Sequence, residues 1–254
     1  MIQRVDHLVI LVDDLTQARA DYEALGFMVV TGGEHADGKT HNALVSFADG
    51  AYLELLAFKA EAYQHVWWRH VAVGQGLIDF ALLPGDTAED VAAARARGLE
   101  IDGPFPGGRN RPDGVRLEWQ TARPASPELP FFCGDVTPRT LRVPGADTWD
   151  HDNGVHGLAR VSVAVRDLDA SAGRYAALLG SRPLVELGRR LFRLGDTYIA
   201  LRSPGPHEPE SEAIAAQLDA RGEGIYSFGL RSESHAVELC DLGLAHGARI
   251  TIDW

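Results

Sequence analysis

Apolar positions along the chain fall into short alternating runs, and one order of runs recurs four times. Val5 to Val12 alternates as a half-buried strand does and is rich in Val, Leu and Ile. Asp13-Asp14 then offers an N-cap for a helix over Leu15 to Leu25, which Gly26 closes. Three more apolar segments follow, Phe27 to Thr31, His41 to Phe47 and Ala51 to Phe58, set apart by turns at Gly32-Gly33 and Asp49-Gly50. The pattern predicts a βαβββ module.

A second copy runs from a strand at Leu77 to Leu83, through an Asp86 cap and a helix over Thr87 to Arg97, to Gly98 and strands at Leu99 to Ile101, Val115 to Thr121 and Leu129 to Cys133. A third has a strand at Leu158 to Val165, a cap at Asp167, a helix to Leu179, Gly180, and strands near Pro183 to Leu187, Leu191 to Leu194 and Tyr198 to Arg202. Val12, Asp14, Leu15 and Tyr22 align with Val165, Asp167, Leu168 and Tyr175. The fourth copy is short: a strand at Ile225 to Leu230, a helix near His235 to Ala245 and a strand at Ala248 to Ile252. The Pro-rich stretch from Pro124 to Pro144 marks the boundary between two domains, residues 1–140 with modules one and two and residues 150–254 with module three and the truncated module four. A helix near Ser211 to Ala220 links the last two modules.

Composition narrows the function classes. Of 254 residues, 24 are Lys or Arg and 36 are Asp or Glu, a net charge of −12 that disfavours phosphate backbones and anionic lipid surfaces. No run approaches the about 18 apolar residues of a membrane helix, and the N-terminal stretch from Met1 lacks the pattern of an export signal. Cys133 and Cys240 stand alone, so a reducing, cytoplasmic setting is expected. Nucleophile-elbow, phosphate-loop, dinucleotide-binding and zincin motifs are missing.

Several segments together resemble the vicinal oxygen chelate superfamily, and within it the glyoxalase-like domain proteins. They are Val5-Asp6-His7-Leu8-Val9, Leu25-Gly26-Phe27, Tyr52-Leu53-Glu54-Leu55, Pro130-Phe131-Phe132, His151-Asp152-Asn153-Gly154, and the HxxGTxN-like set His35, Gly38, Thr40 and Asn42. The resemblance spans roughly residues 5 to 180. It implies an α+β fold in which repeated βαβββ modules form curved mixed sheets, the glyoxalase / dihydroxybiphenyl dioxygenase-like fold. It leaves the reaction open, because the superfamily holds lyases, dioxygenases, epimerases and non-catalytic drug-sequestering proteins.

In that superfamily metal ligands come from the first and last strands of a module, the places of His7 and Glu54. Period two sets Val5, His7, Val9 and Leu11 on one strand face and Tyr52, Glu54 and Leu56 on one face of another. A buried histidine with Glu54 as its partner explains the same residues. In module two the position of His7 is taken by Asp79, and Phe131-Phe132-Cys133 offers no carboxylate. The set His7, Glu54 and Asp79 suits Mg or Mn better than Zn, with His35, His41 or His151 as sources of a further nitrogen. In module three Arg160 and Ala200 replace His7 and Glu54, which speaks against a second metal site and for an ion-pair role of Arg160.

His65 and His70, five residues apart around Trp67-Trp68, have the wrong spacing for a metal pair on a helix. Gly107 to Gly114 reads as a hairpin connection, in which Arg109 or Arg111 would neutralise a substrate carboxylate or phosphate. The leading expectation is a metal-assisted lyase or isomerase acting on a small oxygen-bearing substrate. Glu54 would be catalytic, a divalent metal ion the cofactor, and His35, Thr40, Asn42, Arg109 and His151 the substrate contacts. Alternatives are a non-catalytic small-molecule binder, with Trp67, Trp68 and Trp119 around the ligand, and an extradiol-type dioxygenase. The truncated fourth module leaves sheet edges to cover, which favours a homodimer.

Overall fold

The computed structural model describes residues 1–233 and 238–253. The first half consists of β1 (Arg4–Leu11), α1 (Leu15–Ala24), β2 (Val30–His35), β3 (Thr40–Ser46) and β4 (Tyr52–Phe58), then β5 (Gly76–Leu83), α2 (Thr87–Ala96), β6 (Ile101–Asn110), β7 (Arg116–Pro124), β8 (Phe131–Asp135) and the short α3 (Arg139–Arg142). Its eight strands close into a barrel in the order β1-β4-β3-β2-β6-β7-β8-β5. The caps are local chemistry: the Asp14 carboxylate accepts from the backbone of Thr16 and Gln17, and that of Asp86 from Glu89.

The second half holds β9 (Val155–Ala164), α4 (Leu168–Leu179), β10 (Leu184–Glu186), β11 (Arg189–Leu194), β12 (Thr197–Arg202), α5 (Ser211–Ala220), β13 (Gly224–Ser232), β14 (Glu238–Leu239) and β15 (Ile250–Asp253). These strands form an open seven-stranded sheet, β10-β11-β12-β9-β13-β15-β14. Strand β9 runs parallel to β12 and antiparallel to β13, just as β1 runs parallel to β4 and antiparallel to β5. A single apolar core joins the halves, with Leu8, Ile10 and Leu53 of the barrel, Tyr22 of α1, Tyr175 of α4, and Val161 and Phe228 of the second sheet. Since Leu8 and Ile10 face outward into that core, Val9 and Leu11 face the barrel interior. The curved mixed sheets and few helices make this an α+β fold.

Three elements depart from the sequence pattern. Strand β2 runs on through Gly32-Gly33 to His35 instead of turning there. Strand β6 is ten residues long, although Pro104, Pro106 and three glycines mask it; a bulge between Asp102 and Phe105 accommodates Pro104, and only Arg111 to Val115 forms the turn. The helix expected near His235 to Ala245 falls partly outside the described residues, and from Glu238 the chain forms β14 and then turns. There the Asp241 carboxylate accepts from the backbone of Gly243 and Leu244, and His246 and Gly247 take positive φ. Among the described residues no helix is long and apolar enough to cross a membrane.

Candidate functional site

The barrel encloses a cavity of about 490 Å³. Strand β1 reaches it through a bulge between Val5 and His7, which breaks the strict alternation: Val5 turns to the outer core while His7 faces the cavity. Behind His7 lies Asp6, fully buried, whose carboxylate takes the guanidiniums of Arg139 at 2.5 Å and Arg142 at 2.8 Å. Burial alone would raise the Asp6 pKa; the charge of Arg142, the His7 hydrogen bond and Arg139 outweigh it and hold the carboxyl well below its ordinary range. Asp6 is therefore an acceptor, and the 2.7 Å contact to Nδ1 of His7 is an N–H donation from the ring. The imidazole stacks on Tyr52, with ring centroids 4.7 Å apart, and so Nε2 points at Glu54.

Glu54 is the centre of the site. One carboxylate oxygen, Oε2, lies 3.5 Å from Nε2 of His7; the other, Oε1, lies 3.4 Å from Nε2 of His35 and accepts a 2.5 Å hydrogen bond from the Asn42 amide. Burial pushes the Glu54 pKa up, but His35, His7, the Asn42 hydrogen bond and Arg109 prevail and lower it. His35 goes the same way for the opposite reason: burial lowers its pKa against the pull of Glu54. Its Nδ1 meets the Thr40 hydroxyl at 2.7 Å, and its ring stands edge-on to Trp119.

The two sides of the carboxylate differ. On the His7 side, the ring proton is committed to Asp6, so Nε2 and Oε2 face each other as acceptors unless a proton or a cation lies between them. These two donors fit a divalent cation, with Asp6 orienting the imidazole from behind. Among the described residues one cluster of His, Cys and carboxylate groups has its ligand atoms within 4.8 Å of one another, Asp6, His7 and Cys133. It fits a cation poorly, because Asp6 already holds two guanidiniums and burial pushes the Cys133 thiol up to about 12.

Of the residues singled out from the sequence, His7, His35, Thr40, Asn42, Glu54 and Arg109 all line this cavity. Arg109 arrives there from inside β6 and not from a surface turn; it donates to the Arg142 carbonyl at 3.0 Å. Asp79 sits elsewhere. Strand pairing sets it opposite Val9, not His7, and its carboxylate is engaged by Arg123 at 2.6 Å and by the Trp67 indole N–H at 2.8 Å. His151 is also apart: Nδ1 accepts from the Met28 backbone at 2.9 Å, so Nε2 donates to the Ser46 carbonyl, tying the start of β9 to the barrel wall. His41 alternates with Thr40 and Asn42 and so faces away from the cavity. Asp6 has a sequence signal, a carboxylate beside a histidine in an apolar strand, whereas Arg139 and Arg142 have none, since they arrive from a distant segment.

A βαβββ barrel with a polar cavity, joined to a second sheet built from the same units, defines the vicinal oxygen chelate class of proteins. Within it the chain belongs to the glyoxalase-like domain family, which matches residues 5–179. No curated protein sequence matches it. Among solved structures, a hypothetical protein from Staphylococcus aureus superposes with a TM-score of 0.77 at 14% identity, over 98% of each chain. A variant of 4-hydroxymandelate synthase from Streptomyces coelicolor gives 0.60 at 17% identity, covering 92% of this chain and 72% of that one. A fusion protein of a xylose isomerase-like TIM barrel with 4-hydroxyphenylpyruvate dioxygenase gives 0.57 at 20% identity, covering 92% of this chain and 37% of that one. At these identities the likeness establishes the fold.

Proposed function

We propose that the barrel cavity is the active site of a lyase- or isomerase-type enzyme that moves a proton beside the carbonyl of a small oxygen-bearing substrate. The observation that carries this reading is the buried Glu54 carboxylate set between two imidazole nitrogens, with Arg109 on the same cavity wall. A lowered pKa makes Glu54 a weak base, and a lowered pKa leaves His35 neutral near pH 7; in the tautomer whose Nδ1–H donates to Thr40, Nε2 is the bare nitrogen that can take a proton. His35 takes the proton from the substrate carbon, and Glu54 stabilises the imidazolium at 3.4 Å while Thr40 holds the far ring nitrogen. The C–H electron pair passes into the new carbon–carbon double bond and negative charge collects on the carbonyl oxygen, which Arg109 faces. His7 and Glu54 would hold a divalent cation on the opposite side of the carboxylate, and the chemistry such an ion supplies is polarisation of substrate oxygens.

An iron-type triad of His7, His35 and Glu54 is less well supported, because the imidazoles face different oxygens of one carboxylate. A purely binding role draws on a different observation: Trp67 packs edge-on against Phe131, with Arg123 stacked 4.7 Å above the Phe131 ring. Turnover of the methylglyoxal–thiol adduct, measured with and without Mg, Mn, Zn or Ni, separates the two. Saturable binding with quenched tryptophan fluorescence and no turnover by any preparation would favour the binder. A homodimer belongs to the same proposal, supported by Leu184, Val185 and Leu187, exposed on or beside the edge strand β10.

A further inference from the structure

Arg142 of α3 holds two cavity residues that come from different strands. Its backbone carbonyl accepts from Nη2 of Arg109 at 3.0 Å, and its Nη1 donates to the Tyr52 hydroxyl at 2.8 Å. Arg109 belongs to β6 and Tyr52 to β4, and both line the barrel cavity although only 3% and 4% exposed. Arg142 is itself fixed by Asp6 and Asp135. A residue from beyond the last barrel strand thus fixes a phenol and a guanidinium against the same cavity.

Both groups are donors that the protein leaves incompletely matched. The Tyr52 oxygen takes the Arg142 N–H, and its own proton meets no acceptor among the described residues. Burial raises the phenol pKa well above 10 against the pull of Arg142, so the proton stays on the oxygen. Among the described residues Arg109 has the Arg142 carbonyl as its one hydrogen-bond acceptor and no carboxylate in ion-pair contact. Burial lowers its pKa, and Tyr52, ahead of Glu54, is the neighbour that most opposes this. The acids around the cavity are engaged elsewhere: Asp6 and Asp135 by Arg139 and Arg142, Asp79 by Arg123, and Glu54 by Asn42 between the two imidazoles. Asp37, at the exposed rim, accepts from the Lys39 backbone. On its other side Arg109 borders a surface hollow, where Asp113 pairs with Arg111 at 2.7 Å and Asp147 is exposed. Buried donors are normally matched, so two of them on one cavity point to an electron-rich oxygen of a ligand.

We infer that Tyr52 is a catalytic residue of the barrel site, its hydroxyl donating beside Arg109 to the substrate oxygen on which negative charge collects, with Arg142 as the positioning residue for both. The inference rests on the proton-transfer reading above and adds the second donor that an enolate oxygen requires. As the C–H pair enters the carbon–carbon double bond and the carbonyl π pair moves onto oxygen, Tyr52 keeps its proton and its hydrogen bond to that oxygen strengthens. The Arg142 N–H on the phenol oxygen polarises the O–H and makes it a better donor.

The probe is 4-nitrophenol, whose anion absorbs visible light and whose charged oxygen stands in for the enolate oxygen; Trp67, Trp119 and Phe131 line the same cavity and suit its ring. Mixed with the full-length chain without added metal, it should bind and ionise at a lower pH than in buffer. Tyr52→Phe should lower the ionisation constant of the bound probe about tenfold. The same variant should lower turnover of the methylglyoxal–thiol adduct about 10²-fold with KM little changed. It should keep the melting response to divalent cations, because the ring still stacks on His7. If Tyr52→Phe fails to fold, replacement of Tyr52 by fluorotyrosine decides: ring and hydroxyl remain, the donor is stronger, and the ionisation constant should rise. A parent chain that does not bind the probe or does not shift its ionisation, or equal ionisation constants in parent and variant, would overturn the proposal. A parent chain that shifts the probe but turns over no adduct would count against the proton-transfer reading and support the donor pair as a binding site.

Discussion

Nδ1 of His7 donates a 2.7 Å hydrogen bond to Asp6, and the same carboxylate neutralises Arg139 and Arg142, brought in by α3. One buried charge thus orients the cavity histidine and ties the segment after β8 to the first strand. Asp6→Asn removes one of the two carboxylates that hold these guanidiniums and leaves only Asp135 to pair with both, one of them buried inside the protein. Removing one partner of such a buried network costs about 3 to 5 kcal/mol, and a urea midpoint close to that of the parent chain would contradict this account.

The two oxygens of Glu54 predict separable phenotypes. Glu54→Gln and His7→Ala should each abolish stabilisation by divalent cations, a gain of about 2.7 kcal/mol at a hundredfold excess of ligand over Kd. The double variant should lose no more than either single one, because the two donors act together. His35→Gln should keep the cation response and lower turnover about 10² to 10⁴-fold. Thermal melts with and without metal, run beside the adduct assay, test both parts; additive losses of cation response would place the cation elsewhere in the cavity.

Gly32 of β2 packs tightly against two side chains of the site. A Cβ built there would lie 2.0 Å from Oδ1 of Asn42 and 2.7 Å from Nη1 of Arg109. Gly32→Ala should therefore displace the amide that holds Glu54, with a tenfold or greater fall in turnover and a melting temperature reduced only modestly. Parental turnover would show that Asn42 has room to move.

Acid should destabilise the fold in a defined window. His70 has its pKa lowered from 6.5 to about 4, mainly by burial, and His35 and His151 are lowered for the same first reason. The unfolded chain then binds more protons than the folded one between those values, so stability is full above 6.5 and falls as pH drops towards 4. The lowered carboxyls of Asp6 and Glu54 add a second loss below the ordinary carboxylate range. Urea midpoints from pH 7 down should decline through this window, and His70→Asn should flatten the upper part; a midpoint that rises on acidification refutes the assignment.

The apolar edge strand predicts association. Light scattering should report twice the 27.5 kDa chain mass, and Val185→Lys should return a single chain. A single chain for the parent at high concentration would remove the dimer from the proposal.

What the sequence determined by itself is what depends on neighbours along the chain. Alternation marks β1 and β4, the carboxylates of Asp14, Asp86 and Asp167 cap the helices that follow them, and positive φ at Gly26, Gly98 and Gly180 ends those helices. Each is a contact over a few residues, which residue type and spacing can specify. His7 and Glu54 were legible for the same reason, as polar residues at cavity-facing steps of apolar strands. Tertiary structure decided the rest, because strand register is a long-range property and one bulge or two-residue offset changes which side chains meet. Register placed Asp79 opposite Val9 and left it to Arg123; closure of the barrel carried His35 to Glu54 and turned Arg109 inward; and Arg142 reaches Asp6 across 136 positions of sequence. No local pattern encodes those meetings, since each exists only once both strands have taken their places in the folded sheet.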